Sequence, residues 1–310
     1  MLERLKRKRP EHSRVGIDLQ DDGVVVAVAR QAGKSPISRL SCEFLPCDDP
    51  AGLAAVVEKT VHKYDLRGQP TVLVLPHNEY SLLQTSTPAL GHDEMRAAAG
   101  WKIGELIDYP VAEAVVDVFE YPESGQRGNE RMLYVVATRA TGIQSHVDRM
   151  RQSELKLNAI DIPELAIRNV VTHLPENEQG VVVLSLAERS GLLVVIKQSE
   201  VYLARRLELG FDDLMLGDQH MFDDLVLQLQ RSLDFFESHF AQALPAKVLI
   251  FPPDKVSGEL IMHVNSHLKL DVEPLILEQL PDYSINIDEA GQTRCLNAIG
   301  AALRDREAVA

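Results

Sequence analysis

Two short polar turns between apolar runs hold the residues best placed for chemistry. They are Asp18-Leu19-Gln20-Asp21-Asp22-Gly23 and Ser185-Leu186-Ala187-Glu188-Arg189-Ser190. Turns of this kind present backbone N–H groups to an anion when they are rich in Gly and Ser. Here they carry carboxylates instead: Asp21 and Asp22 in the first, Glu188 in the second. A carboxylate ~4 Å from a phosphate oxygen costs on the order of 4 kcal/mol at an effective dielectric of about 20. Tight triphosphate binding would therefore need a counter-charge, either Arg189 or Mg²⁺.

Other constellations are weaker. Gly33-Lys34-Ser35 has the ending of a phosphate-cradling loop, but Val28 stands where the first glycine belongs, and strands flank the tripeptide on both sides. His263 and His267 have the i, i+4 spacing of a helical metal pair, but no acidic residue lies between them and the sequence offers no third ligand. No metal is expected. Cys42, Cys47 and Cys295 are odd in number and form no paired pattern, which reads as ordinary thiols in a reducing compartment. No Gly-x-Ser-x-Gly elbow occurs, and no nucleophile is paired with a base.

The elements around the two turns follow from hydrophobic runs and punctuation. Residues 15–19, 24–30 and 37–45 read as three strands, 50–64 as a helix and 71–75 as a buried strand. Residues 92–107 read as a helix, 114–121 and 131–138 as strands, 141–155 as a helix, 159–162 as extended, and 163–173 as a helix with Pro163 at its first position. Residues 175–180 form the best linker. Beyond it the opening pattern recurs at 181–186, 191–196 and 201–207: a shift of 167 lays Asp18 on Ser185, Gly23 on Ser190 and Val28 on Val195 without a gap. Leu225, Leu229, Leu233, Phe236 and Phe240 then mark one face of a core-packing helix. Residues 247–251 read as a strand, 257–267 as a helix and 295–303 as a final, Ala-rich helix.

With 310 residues the chain has room for about two domains. A hydrophobic fraction of 45% excludes global disorder. Forty-six acidic against 32 basic residues give a net charge of −14, which disfavours nucleic acid as a partner because phosphate neutralisation needs a basic face. Arg4, Lys6, Arg7, Lys8 and Arg9 run against the trend. They read as a solvated tail or as a weak lipid contact, worth about 1 kcal/mol per cation at an anionic surface. Pro10, Glu11 and His12 follow them, so the start is not a secretory signal, and no run reaches the ~20 apolar residues of a membrane span. The reading is cytoplasmic.

Several segments in a common order are similar to the PilM/MshI family, the actin-like assembly proteins of type IV and MSHA pili. Gly16-Ile17-Asp18-Leu19 resembles the family's Gly-Ile-Asp-Ile. Ile107-Asp108-Tyr109-Pro110-Val111-Ala112-Glu113-Ala114-Val115-Val116-Asp117 resembles its Ile-Pro-Phe-Pro-Leu-Glu-Glu-Ala-Val-Leu-Asp. The stretches 133–139 and 157–166, the latter containing Asp161-Ile162-Pro163-Glu164, follow its Val-Asp-Ile-Glu-Pro-Leu-Ala region. Arg231-Ser232-Leu233-Asp234-Phe235-Phe236-Glu237 resembles its Arg-Ser-Leu-Asp-Tyr-Tyr-Glu, the most specific match, and Ala298-Ile299-Gly300-Ala301-Ala302-Leu303 its C-terminal helix.

The resemblance implies an α/β, actin/FtsA-like (ribonuclease H-like) fold of two duplicated lobes around a nucleotide cleft. Residues 1–13 would be a basic tail and 14–176 the first lobe, with a small α/β subdomain inserted at about 88–156. Residues 177–310 would form the second lobe. It also implies a partner: the cytoplasmic tail of a PilN-like bitopic inner-membrane protein, docked between the first lobe and the inserted subdomain. The chain would then lie at the inner face of the membrane.

Departures from the family pattern fall at the cleft. Gln20, Asp21 and Asp22 replace its Gly-Ser, Ser185-Leu186-Ala187-Glu188-Arg189 replaces its Asp-Ile-Gly-Ala-Ser, and Pro252-Pro253-Asp254 replaces its Gly-Gly. Only Asp18 is carried over clearly, with Arg231 and Glu237 on the nearby helix. The expectation is a degenerate nucleotide cleft made of Asp18, Gln20, Asp21, Asp22, Gly23, Ser185, Ala187, Glu188, Arg189, Ser190, Arg231 and Glu237. It would have no catalytic residue and no cofactor, in a scaffold of a pilus platform. The alternatives are an ATP- and Mg²⁺-binding, slowly hydrolysing member of the family, and an actin-like part of a secretion or division complex.

Overall fold

The computed structural model describes residues 12–31, 37–47, 49, 52–88, 91–122, 130–215, 219–255, 257–288 and 291–305. The basic segment 4–9 and the tripeptide Gly33, Lys34, Ser35 lie outside them.

The chain opens with an antiparallel meander of β1 (His12–Gln20), β2 (Gly23–Gln31) and β3 (Ile37–Pro46). Its valines are buried on both faces, as a central sheet covered on each side requires. Val24, Val26 and Val28 pack under α1 (Leu53–Tyr64), and the alternate Val25, Ala27 and Ala29 face the other way. β4 (Pro70–Val74) joins β1 in parallel. A smaller sheet follows: β5 (Tyr80–Pro88), α2 (His92–Lys102), β6 (Ala114–Glu120) and β7 (Glu130–Arg139), in the order β5-β7-β6. Ala99 of α2 and the adjoining Ile103 cover its core of Val118, Leu133, Val135 and Ala137. α3 (Ala140–Gln152), β8 (Lys156–Asp161) and α4 (Pro163–Val171) return the chain to the first sheet, with Pro163 at the first position of α4.

The second half holds β9 (Val181–Leu186), β10 (Gly191–Lys197), β11 (Glu200–Leu207), α5 (Phe211–Met215), α6 (Gln219–Phe240) and β12 (Lys247–Phe251). The stripe Leu225, Leu229, Leu233, Phe236 and Phe240 of α6 is wholly buried, as its spacing predicts. α7 (Gly258–Leu268) is capped by Ser257, whose Oγ accepts from the Leu260 N–H at 3.0 Å. β13 (Asp271–Pro274), β14 (Ser284–Ile287) and α8 (Leu296–Leu303) complete the chain.

The two large sheets run β14-β3-β2-β1-β4-β8 and β11-β10-β9-β12-β13. The offset of 167 holds at the level of pairing. Gly16↔Ala27 maps onto Val183↔Val194, and Asp18↔Val25 onto Ser185↔Leu192. The parallel neighbour is duplicated as well, since Asp18 pairs with Val74 of β4 and Ser185 with Phe251 of β12.

The structure revises three expectations. The small sheet spans residues 80–139 and not 88–156. It begins with β5, whose Ser- and Thr-rich sequence lacks an apolar alternation, while Met150 of α3 packs into the core of the first sheet. Residues 177–310 do not all belong to the second lobe. β14 pairs in parallel with β3, and α8 packs on β1, β2 and α4, so the chain end returns to the first lobe. Four-residue strands such as β13 and β14 are too short to show a period. Finally, Cys42 of β3 and Cys295 just before α8 are bonded as a disulfide across 253 positions, both buried. Cysteine spacing therefore does not speak for a reducing compartment; Cys47 is free.

The returning helix is buried all round and seats on glycine. A Cβ on Gly16 would overlap the Ala298 carbonyl, and one on Gly300 would overlap the Ala166 carbonyl of α4. Asn169 adds a side-chain hydrogen bond to the Gly300 carbonyl at 3.0 Å. At an exposed helix position Gly→Ala gains up to about 1 kcal/mol. Gly300→Ala is instead expected to lose about 3 kcal/mol, because backbone on both sides must move. Urea unfolding checks the sign, and an unchanged or raised midpoint would refute the close packing.

Candidate functional site

Because the halves are duplicated in register, the β1–β2 and β9–β10 turns line one cleft of about 580 Å³. Asp18, Gln20, Asp21 and Asp22 stand on one wall, and Ser185, Ala187, Glu188, Arg189 and Ser190 on the other. Ten of the twelve expected residues thus lie at or beside the cleft, counting Gly23 at the foot of the first turn. Gly23 itself does not line the cleft; it pairs with Gln20, and a Cβ there would overlap the Leu45 carbonyl of β3. Arg231 and Glu237 are a correction. Both are exposed on α6 and absent from the lining, because the four-three-four spacing that buries Leu229, Leu233 and Phe236 turns them outward.

Asp18, at the end of β1, is 4% exposed. Burial pushes its carboxyl up to about 7, against hydrogen bonds from Gln20 Nε2 at 3.1 Å and Asn297 Nδ2 at 3.4 Å that favour the charge. Asn297 Oδ1 is buried without a partner in the same wall. Gln20 turns its carbonyl oxygen to Arg294, whose Nη1 donates at 2.8 Å. The same Nη1 donates to Asp22 Oδ1 at 2.6 Å, and the guanidinium lies over the Phe44 ring at 4.2 Å. A cation from the returning chain end therefore clamps the first turn, in charge-assisted and stacked contacts together.

The second turn is tied down through its carbonyls. Its Ala187 N–H donates to the Ser190 carbonyl at 2.8 Å, closing the turn on itself. The carbonyls of Ala187 and Glu188 accept from the N–H groups of Phe211 and Asp212 at 2.9 and 3.0 Å, at the start of α5. Gly210 makes that approach possible, since a Cβ there would overlap the Glu188 carbonyl. Glu188 and Arg189 are exposed, and among the described residues Arg189 has no ion pair.

The two halves are linked across the cleft by Arg206 of β11. Its guanidinium stacks on Tyr80 of β5 at 4.6 Å and donates to the Tyr80 carbonyl at 3.3 Å. The Tyr80 hydroxyl in turn donates to Glu164 Oε2 at 2.6 Å. Burial raises both groups, so Tyr80 keeps the proton it donates.

Sequence reasoning misses Arg294, Asn297, Arg206 and Tyr80. The only signal near the first two is their place just before and within the final apolar helix; nothing local points Arg206 or Tyr80 at the cleft. Outside the cleft, His263 and His267 of α7 gain the third neighbour that the sequence did not reveal, Asp223 of α6.

No family model and no curated protein matches the sequence. Solved structures do. A PilM–PilN type IV pilus biogenesis complex superposes with a TM-score of 0.69 at 19% identity, over 94% of this chain and 98% of that one. The cytoplasmic domain of EpsL, an inner-membrane component of the type II secretion system of Vibrio cholerae, gives 0.51 at 10% identity over 94% and 96%. Among the described residues no helix is long and apolar enough to cross a membrane. Two duplicated sheets facing one cleft, matched end to end by these structures, give the chain the actin-like fold that its sequence motifs led us to expect.

Proposed function

We propose that this chain is a non-catalytic, actin-like scaffold of a type IV pilus assembly platform of the MSHA type. In this reading it holds the cytoplasmic tail of a PilN-like bitopic inner-membrane protein and sits at the inner face of that membrane. The observation that carries it is the Arg294 clamp on Gln20 and Asp22. In a fold shared with PilM of a PilM–PilN complex, the first turn spends its polar groups on the chain's own guanidinium. The residues present fit magnesium triphosphate poorly. Asp21 and Glu188 stay exposed on the facing turns, the Ala187 N–H is used within its own turn, and Asp18 keeps its proton up to near-neutral pH.

A cleft of about 580 Å³ has the size of a small-molecule site and favours a second reading, in which ATP binds. The likeness to the cytoplasmic domain of EpsL supports a third, a place in a secretion complex. Calorimetric titration with ATP, with and without Mg²⁺, separates the first two. The scaffold reading expects no heat at millimolar ATP, and micromolar binding would replace it with the second. Co-purification with a PilN-like partner, lost when that partner's cytoplasmic tail is deleted, is expected of the scaffold. Crosslinks from the tail that map to the β9–β13 sheet alone would contradict docking between the first sheet and the β5–β7 sheet.

A further inference from the structure

We infer that the surface formed by α6 and α7 carries a zinc site made of Asp223, His263 and His267, separate from the cleft and independent of how the cleft is read. The ligand atoms of the three side chains lie within 4.8 Å of one another. His263 and His267 rise from one face of α7 with ring centroids 4.6 Å apart, and Asp223 reaches over from α6 with Oδ1 at 2.8 Å from His263 Nε2. Both backbones are anchored, since Phe222 and Val226 flank Asp223, and Leu260 and Val264 flank His263, in the same core cluster. The three side chains are exposed or half-buried, so an ion reaches them from solvent.

The hydrogen bonds around His267 add a second, independent reason. Its Nδ1 lies 2.7 Å from the carbonyl oxygen of His263. A carbonyl only accepts, so Nδ1 carries a proton, and in the neutral ring it is Nε2 that presents the lone pair. An imidazole held in one tautomer by a backbone carbonyl is how metal-binding histidines are oriented. At His263 the ion takes the place of the proton now facing Asp223, and that proton moves to Nδ1 of the same ring.

The donor set of two imidazoles and one carboxylate suits Zn²⁺, with Zn–N and Zn–O near 2.0–2.2 Å. Tetrahedral geometry brings ligand atoms to roughly 3.3 Å, and the exposed Asp223 side chain is the one that rotates to adjust, while His267 stays on the His263 carbonyl. Three protein ligands leave the fourth position to water or to a donor from a partner.

The test is Zn²⁺ equilibrium dialysis and Co²⁺ titration of the full-length, tag-free chain after chelator treatment. One Zn²⁺ per chain and the visible absorption of tetrahedral Co²⁺ are expected. Asp223→Ala, His263→Ala and His267→Ala should each weaken binding by at least about 100-fold, since even outer-shell changes cost 10–100-fold. Asp223→Asn keeps an acceptor for His263 at an exposed position, so it preserves the fold and should lose affinity with an unchanged circular dichroism spectrum. Absence of stoichiometric zinc at micromolar concentration, or zinc that survives these substitutions, overturns the site.

Discussion

Asp18→Asn is expected to stabilise the folded chain at pH 8 by up to about 4 kcal/mol and to leave it almost unchanged at pH 4. In the folded state burial raises the Asp18 carboxyl from 3.8 to about 7, while in the unfolded chain it titrates at its ordinary value. Below about pH 4 both states hold the proton and Asp18 costs nothing. Between about 4 and 7 the unfolded chain releases a proton that the folded one keeps, so stability falls as pH rises. Above about 7 the loss is complete, and a shift of about three units corresponds to about 4 kcal/mol. The amide removes the charge but still accepts from Gln20 and Asn297, and it brings a donor beside the unpartnered Asn297 Oδ1. Urea unfolding of both proteins across pH 4–8 reads the difference directly. A variant less stable than the parent at pH 8 would mean that the carboxylate is held charged by something else, and would reopen the cleft as a cation site.

Arg304→Met should cost about 3–5 kcal/mol. Arg304, just beyond α8, donates Nη1 to Asp161 Oδ2 at 2.7 Å, and the Asp161 side chain is 1% exposed at the end of β8. Methionine fills the volume and leaves the carboxylate buried without that partner, the costly way to break such a pair. The double variant Asp161→Asn/Arg304→Met is expected to recover most of the loss, because the buried charge that lost its closest cation has gone, while the asparagine oxygen still accepts from the Ile162 N–H. If the double variant is as unstable as the single one, packing of the chain end and not charge pairing is what Arg304 supplies. The pair matters for the cleft as well. α8 carries Asn297 and follows Arg294, so loosening its far end loosens the groups that hold Asp18 and the first turn.

Much of this molecule is legible from local patterns. The apolar runs at 24–30 and 181–186 predict strands, and the structure buries Val24 to Val28 and Val181 to Val183 on both faces. The stripe from Leu225 to Phe240 predicts which side of α6 is buried, and the 167-residue repeat predicts two similar halves, each opening with a three-stranded meander. These are properties of neighbours along the chain, where side-chain period and turn chemistry act directly. The same stripe also shows why Arg231 and Glu237 were misplaced: a motif likeness selected them, while the period of α6 turns them to solvent.

What the sequence by itself determined is thus the long, strongly patterned elements, the duplicated meanders and the two acidic turns, while β5, β13 and β14 carry no such pattern. Only the tertiary structure decided what holds them. Arg294 meets Asp22 across 272 positions, Asn297 meets Asp18 across 279, Cys42 meets Cys295 across 253, and Asp223 meets His263 across 40. Each of these contacts depends on where β14 and α8 re-enter the first lobe, or on how α7 lies against α6. That re-entry is set by glycine-sized gaps and sheet pairing, and a contact made by topology leaves no period in the sequence on either side of it.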